Sequence, residues 1–126
     1  MPAQLDLTPE KIAVYRATAQ RRRQQERKEI NQRREKAWQI ARQAARLLHE
    51  QFHVSRVVVF GSLTREEGFT RWSDVDIAAW GIAPKDTFRA IGAVMDLETE
   101  IPVNLVDVNT ARPSLLAVIE REGVEL

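Results

Sequence analysis

The chain has 126 residues, 44% of them hydrophobic and 29% charged, a size and balance that suit one domain built on one modest core. It has no cysteine, which excludes disulfides and thiolate metal sites, and no apolar run approaching the length that spans a bilayer. The net charge of +1 conceals an asymmetry: residues 1–53 carry 12 Lys/Arg against 6 Asp/Glu, whereas residues 54–126 carry 7 against 12.

The chain therefore reads as a basic amino-terminal arm, 1–53, joined to an acidic domain, 54–126. No signal peptide is recognisable, so a soluble cytoplasmic protein is expected, with no membrane association. A basic arm can meet nucleic acid, an acidic partner protein or only water, and charge alone does not choose among them.

Thr8-Pro9-Glu10 forms a helix start: a hydroxyl N-cap, proline at the first helical position and an acid facing the positive dipole end. From Glu10 to Val59 there is neither glycine nor proline, and the residues are mostly strong helix formers. One helix could run from about Pro9 to near Phe52, on the order of 65 Å at about 1.5 Å per residue. Ala37, Ala41, Ala44, Leu48 and Phe52 recur at helical spacing, so this stretch should pack on a sheet, with its carboxyl-terminal end against the core. Between Gln20 and Lys36 the only large apolar residue is Ile30, and a break there is also compatible with the pattern. Ile12, Tyr15 and Ala19 form a smaller stripe that could serve self-association or contact with another protein.

Arg56-Val57-Val58-Val59-Phe60 reads as a buried strand ending at Gly61-Ser62, and Leu63–Glu67 as a helical turn stopped by Gly68. Val75–Trp80 reads as a second strand ending near Gly81. Lys85–Leu97 reads as a helix with Phe88, Ile91, Val94 and Met95 as its apolar residues. Val103–Val108 follows as a third strand, then a helix from Pro113 to Glu122 stopped by Gly123. The fold class expected is α/β (α+β): a small mixed sheet of three or more strands flanked by helices, with a long amino-terminal helix.

The chemistry concentrates at Gly61-Ser62 and Ser73-Asp74-Val75-Asp76. Asp74 and Asp76 are two apart, so on extended backbone both carboxylates leave one face. Two carboxylates beside a Gly-Ser turn suit Mg²⁺, which is commonly held by one or two carboxylates plus substrate phosphates. The bland alternative is a pair of strand-edge acids next to a turn.

The pattern Phe60-Gly61-Ser62…Ser73-Asp74-Val75-Asp76-Ile77 resembles the polymerase-β-type nucleotidyltransferase superfamily, in particular its minimal nucleotidyltransferase (MNT) branch, several members of which are antitoxins paired with a HEPN-domain toxin. The likeness covers roughly Val54–Leu126. It implies that Gly61 and Ser62 grip nucleotide phosphates at the start of a short helix, that Asp74 and Asp76 hold Mg²⁺ and carry catalysis, and that ATP is the substrate. Arg65 becomes a candidate phosphate contact, and Ser73 a residue that orders the loop before Asp74. The superfamily places a third carboxylate on the neighbouring strand, and here that position is Asn104, in Val103-Asn104-Leu105-Val106. Asp107 is a second candidate for the third position, although three residues on means opposite side-chain parity along a regular strand. Glu98 and Glu100 are weaker candidates.

Other residues invite simpler readings. His49 and His53 have the i, i+4 spacing of zinc ligands but no third ligand in view. Arg21-Arg22-Arg23 and Arg33-Arg34 suggest a nucleic-acid patch, but arginines spread around a helix more readily form a solvated face or a partner contact. Trp72 suits base stacking or loop packing, and Trp38 and Trp80 suit the core. The expected function is Mg-dependent transfer of AMP from ATP to a hydroxyl of a partner protein, the resemblance naming a HEPN toxin. The alternatives are a binding module weakened by Asn104, or nucleic-acid binding through the basic helix; a homo-oligomer is compatible with any of these.

Overall fold

The hydroxyl of Thr8 accepts a hydrogen bond from the backbone N–H of Lys11 (3.2 Å), Pro9 follows, and the helix so capped runs unbroken as α1, Pro9–Phe52. The computed structural model describes residues 7–97 and 100–126. Glu98, weighed above as a third acid, lies outside them. At its far end α1 stops at His53, which takes the left-handed conformation (φ 54°) and donates its N–H to Leu48 O. No break interrupts the polar middle section. Only the carboxyl-terminal half is buried, through Ala37, Ile40, Ala41, Ala44, Ala45, Leu48 and Phe52.

Among the described residues four strands follow: β1 (Arg56–Phe60), β2 (Val75–Trp80), β3 (Val103–Asp107) and β4 (Val124–Glu125), with helices α2 (Thr87–Met95) and α3 (Pro113–Glu122). The sheet order is β3-β2-β1-β4. Strand β1 is antiparallel to both β2 and β4, while β2 and β3 are parallel and joined by α2, as a crossover connection requires. The expected mixed sheet with a long amino-terminal helix is present, with β4 as an addition that its two residues do not advertise.

Side-chain alternation divides the sheet into two faces. Val57, Val59, Val75, Ile77 and Ala79 meet the alanine stripe of α1 and Ala90 and Val94 of α2. Val58, Phe60 and Ala78 face the other way, against Ile119 and Leu115 of α3. Trp38 and Trp80 lie at the core's margins rather than inside it. Each is half-buried and carries an arginine over its ring, Arg42 and Arg56 respectively.

Three local expectations change. The helical turn after β1 is a 3₁₀ turn at Gly61–Thr64, earlier and shorter than Leu63–Glu67. Helix α2 begins at Thr87 and turns Ala90 and Val94 inward, leaving Phe88 88% and Met95 56% exposed. Gly123 ends α3 without a left-handed cap, its φ being −69°. The glycine is needed for room, because a Cβ there would lie 2.2 Å from Val58 Cγ1 and 2.4 Å from Ile119 O.

Candidate active site

Register brings the site together. Phe60 of β1 lies opposite Asp76 of β2, and Asp76 lies beside Asn104 of β3. Val75 is fully buried, so Asp74 and Asp76 share the opposite face, the one that carries Phe60 and Ala78. Asn104 is on this face too, since Val103 and Leu105 belong to the α1 side. Its side-chain Nδ2 donates to Asp74 Oδ2 (3.3 Å) and to Asp76 Oδ1 (3.2 Å). The two carboxylates therefore converge on a single nitrogen.

Gly61 takes φ +77°, a conformation that costs other residues strain, and a Cβ there would stand 2.7 Å from Asp76 Oδ2. Glycine is thus required twice, for the turn and for its closeness to the acid. Thr64 Oγ1 donates to Gly61 O (2.8 Å) and closes the 3₁₀ turn. Ser62 is half-buried, and its hydroxyl has no hydrogen-bond partner among the described residues.

Electrostatically the acids are uncompensated: among the described residues neither Asp74 nor Asp76 forms an ion pair. Burial pushes the Asp76 carboxyl above its ordinary range, the Asn104 hydrogen bond opposes that rise, and the negative charge of Asp74 adds to it. Two converging carboxylates, one of them reluctant to ionise, form a donor set that a hard cation would relieve. No group of three or more His, Cys, Asp or Glu able to hold a metal occurs among the described residues. Two acids fit Mg²⁺ when phosphate oxygens supply further ligands.

The remaining candidates separate. Ser73 ties the preceding loop: its Oγ accepts from Thr70 N (2.9 Å) and reaches Gly68 O (3.5 Å). Arg65 donates to Glu122 of α3 (3.1 Å), so its guanidinium is paired with an acid. Asp107 does not join the site. It is 3% exposed, accepts from Thr87 Oγ1 (2.8 Å) and caps the turn at Val108–Thr110 through Asn109 N. Glu100 pairs with Lys36. His49 Nδ1 bonds Val54 O, consistent with a helix-ending rather than a ligand role. Trp72 is 81% exposed, with Arg71 over its ring.

Arg33 and Arg34 depart furthest from expectation. Both are half-buried and donate to backbone carbonyls instead of forming a solvated or nucleic-acid-facing patch with the exposed Arg21, Arg22 and Arg23. Arg34 reaches Leu63 O (3.1 Å), Arg65 O (3.0 Å) and Glu66 O (3.3 Å), and Arg33 reaches Ser73 O (2.9 Å). The sequence held a signal for this: they stand four and three residues before Ala37, on the continuation of the buried stripe.

Comparison with known proteins agrees with this architecture. The family model described as "Polymerase beta, Nucleotidyltransferase" matches residues 42–126. Two solved structures share the fold, both crystal structures of mutants of the toxin–antitoxin MntA–HpeT. One carries a tyrosine-to-alanine change: it is 21% identical, with a TM-score of 0.54, covering 68% of this chain and 69% of its own. The other carries two aspartate-to-glutamate changes and is 18% identical, with a TM-score of 0.54, covering 68% of this chain and 70% of its own. No protein of curated function matches.

Proposed function

Since this chain belongs to the polymerase beta nucleotidyltransferase family, we propose that it transfers AMP from ATP to a hydroxyl of a partner protein, acting as the antitoxin of a HEPN toxin. The observation that carries this reading is the convergence of Asp74 and Asp76 on Asn104 Nδ2, with Gly61 packed against Asp76. Support for a toxin partner comes from the similar solved structures, which are of a toxin–antitoxin pair.

Each residue has a part in this chemistry. Gly61 leaves room beside Asp76 that any side chain would fill, and Ser62 brings a hydroxyl free to bond a phosphate oxygen. Asp74 and Asp76 would hold Mg²⁺, which when bound neutralises the triphosphate and the charge that develops as pyrophosphate leaves. The acceptor oxygen forms a bond to the α-phosphorus while the bond from that phosphorus to the pyrophosphate oxygen breaks, and the hydroxyl proton passes to bulk water. Asn104 orients both carboxylates but, as a neutral amide, cannot take that proton. Arg65, paired with Glu122, contributes to phosphate binding only if that exposed pair opens.

Incubation with α-labelled ATP, Mg²⁺ and the purified product of the adjacent gene tests the reading. Label should move to that protein, and Asp74→Ala or Asp76→Ala should reduce transfer by more than about 100-fold, beyond the 10–100-fold typical of changes one shell out from a metal. Asn104 favours a second reading, a binding module with little turnover. Under it the partner co-purifies unlabelled, and Asn104→Asp restores transfer.

A further inference from the structure

The connection between β1 and β2 runs from Gly61 to Asp74 and contains both halves of the site, the Gly61-Ser62 turn at its start and Asp74 at its end. Apart from the turn at Gly61–Thr64 it has no regular structure, and residues 65–68 and 70–72 are exposed except where they touch α1 or one another. A connection of this length has no sheet hydrogen bonds to fix it. Its internal hydrogen bonds are local ones, around Thr70, Ser73 and Gly68. Beyond them Leu63 and Phe69 are buried in the core and the exposed Arg65 side chain pairs with Glu122 of α3, but none of these holds a backbone carbonyl of the connection.

Adjacent positions of α1 supply long-range ties to both halves. The Arg34 fork spans three carbonyls in the first half, Leu63 O, Arg65 O and Glu66 O, while its guanidinium lies 5.2 Å from the ring centroid of the buried Phe69. Arg33 holds Ser73 O, the carbonyl directly before Asp74. Bonds from a guanidinium belong to the stronger, charge-assisted class, and a planar fork with several donors fixes geometry in a way an ammonium cannot. Arg33 accepts a cost in this position, since its Nε is buried without a hydrogen-bond partner among the described residues.

We propose that Arg33 and Arg34 are positioning residues, which set the Gly61-Ser62 turn and Asp74 relative to each other by pinning both halves of the β1–β2 connection to α1. The inference rests on the nucleotide-binding reading above. The helix lies against the other face of the sheet from the acids, so neither arginine need touch the nucleotide. Their effect passes through the backbone of residues 61–74.

Two measurements on the full chain test this: affinity for Mg·ATP by calorimetry, and amide hydrogen exchange across residues 61–74. Arg34→Met and Arg33→Met are expected to weaken Mg·ATP roughly tenfold, equivalent to about 1.4 kcal/mol, and to speed exchange in 61–74 while 37–52 stays protected. Arg34→Lys, which can keep one of three bonds, should fall between. Arg46→Met, an exposed arginine on the same helix, should change neither. Wild-type affinity with unchanged exchange in both Met variants overturns the proposal, and so does faster exchange that extends equally into 37–52. If the wild type fails to bind Mg·ATP, the nucleotide-binding reading falls. Exchange then decides the pinning role alone, and acceleration confined to 61–74 upholds it.

Discussion

Asp76 shows how a side chain that burdens the fold can stand at the centre of a candidate site. Its carboxyl is half-buried and stands beside Asp74, so its folded-state pKa is raised above the ordinary 3.8, burial contributing most. The folded chain therefore holds that proton more tightly than the unfolded chain does. Without a cation, the Asp76 contribution to stability is most favourable while both states are protonated and declines as pH climbs through the unfolded and then the raised folded value. Asp76→Asn removes the penalty and keeps an oxygen for Asn104 Nδ2. In EDTA at pH 7 the variant should melt a few degrees above wild type, with the gap closing below about pH 4. A variant that melts at or below wild type at pH 7 would show that the burial is not costly. Asp74 immediately precedes β2, Asp76 lies within it and Asn104 lies in β3, so only the Asp74–Asp76 relationship is local in the chain.

At the scale of elements, α1 is two helices in physical terms although it is one in geometry. From Ala37 onward its inward stripe is mostly alanine, which lets the helix axis approach β1 and β2 closely, with Leu48 and Phe52 filling the space beyond. Leu48 is fully buried, and Leu48→Ala should cost about 2–5 kcal/mol of stability. Ala41→Leu, which adds volume where none is free, should cost roughly 1–3 kcal/mol. Denaturant unfolding measures both, and a neutral Ala41→Leu would mean the helix can ride away from the sheet. The polar segment before Ala37 gains its place through Arg33 and Arg34, which reach across to the β1–β2 connection instead of packing a core. Helix α2 shows the opposite case: its largest side chain, Phe88, faces out because the inward positions suit Ala90 and Val94.

For the whole molecule, the charge asymmetry becomes spatial. The part of α1 from Pro9 to about Gln32 extends, at about 1.5 Å per residue, for on the order of 35 Å beyond the packed half. It is almost entirely exposed and carries Arg21, Arg22 and Arg23. No helix among the described residues is long and apolar enough to cross a membrane. Opening free energies run from near zero in unpacked segments to the global value in packed ones. Amides of residues 12–28 should therefore exchange roughly 100-fold or more faster than those of 40–50. Protection of the arm that grows with protein concentration would instead reveal a second copy covering Ile12, Tyr15 and Ala19.

Much of this was readable along the chain, because the signals involved act over a few residues. The N-cap at Thr8, the alanine stripe, the β1 and β2 boundaries, the Gly61 turn and the shared parity of Asp74 and Asp76 all follow from local spacing and turn chemistry. What the sequence could not determine depends on neighbours distant in the chain. Asn104 bridges acids 28 and 30 residues away, and Arg33 and Arg34 bond carbonyls 29 to 40 residues away. Asp107 is drawn into the base of α2 by Thr87, and β4 exists only because β1 offers an open edge. Such partners are chosen by strand register and helix placement, which no local periodicity encodes. The residues of the candidate site were thus written in the chain, and their juxtaposition was decided by the tertiary packing that brings three strands and α1 to one end of the sheet.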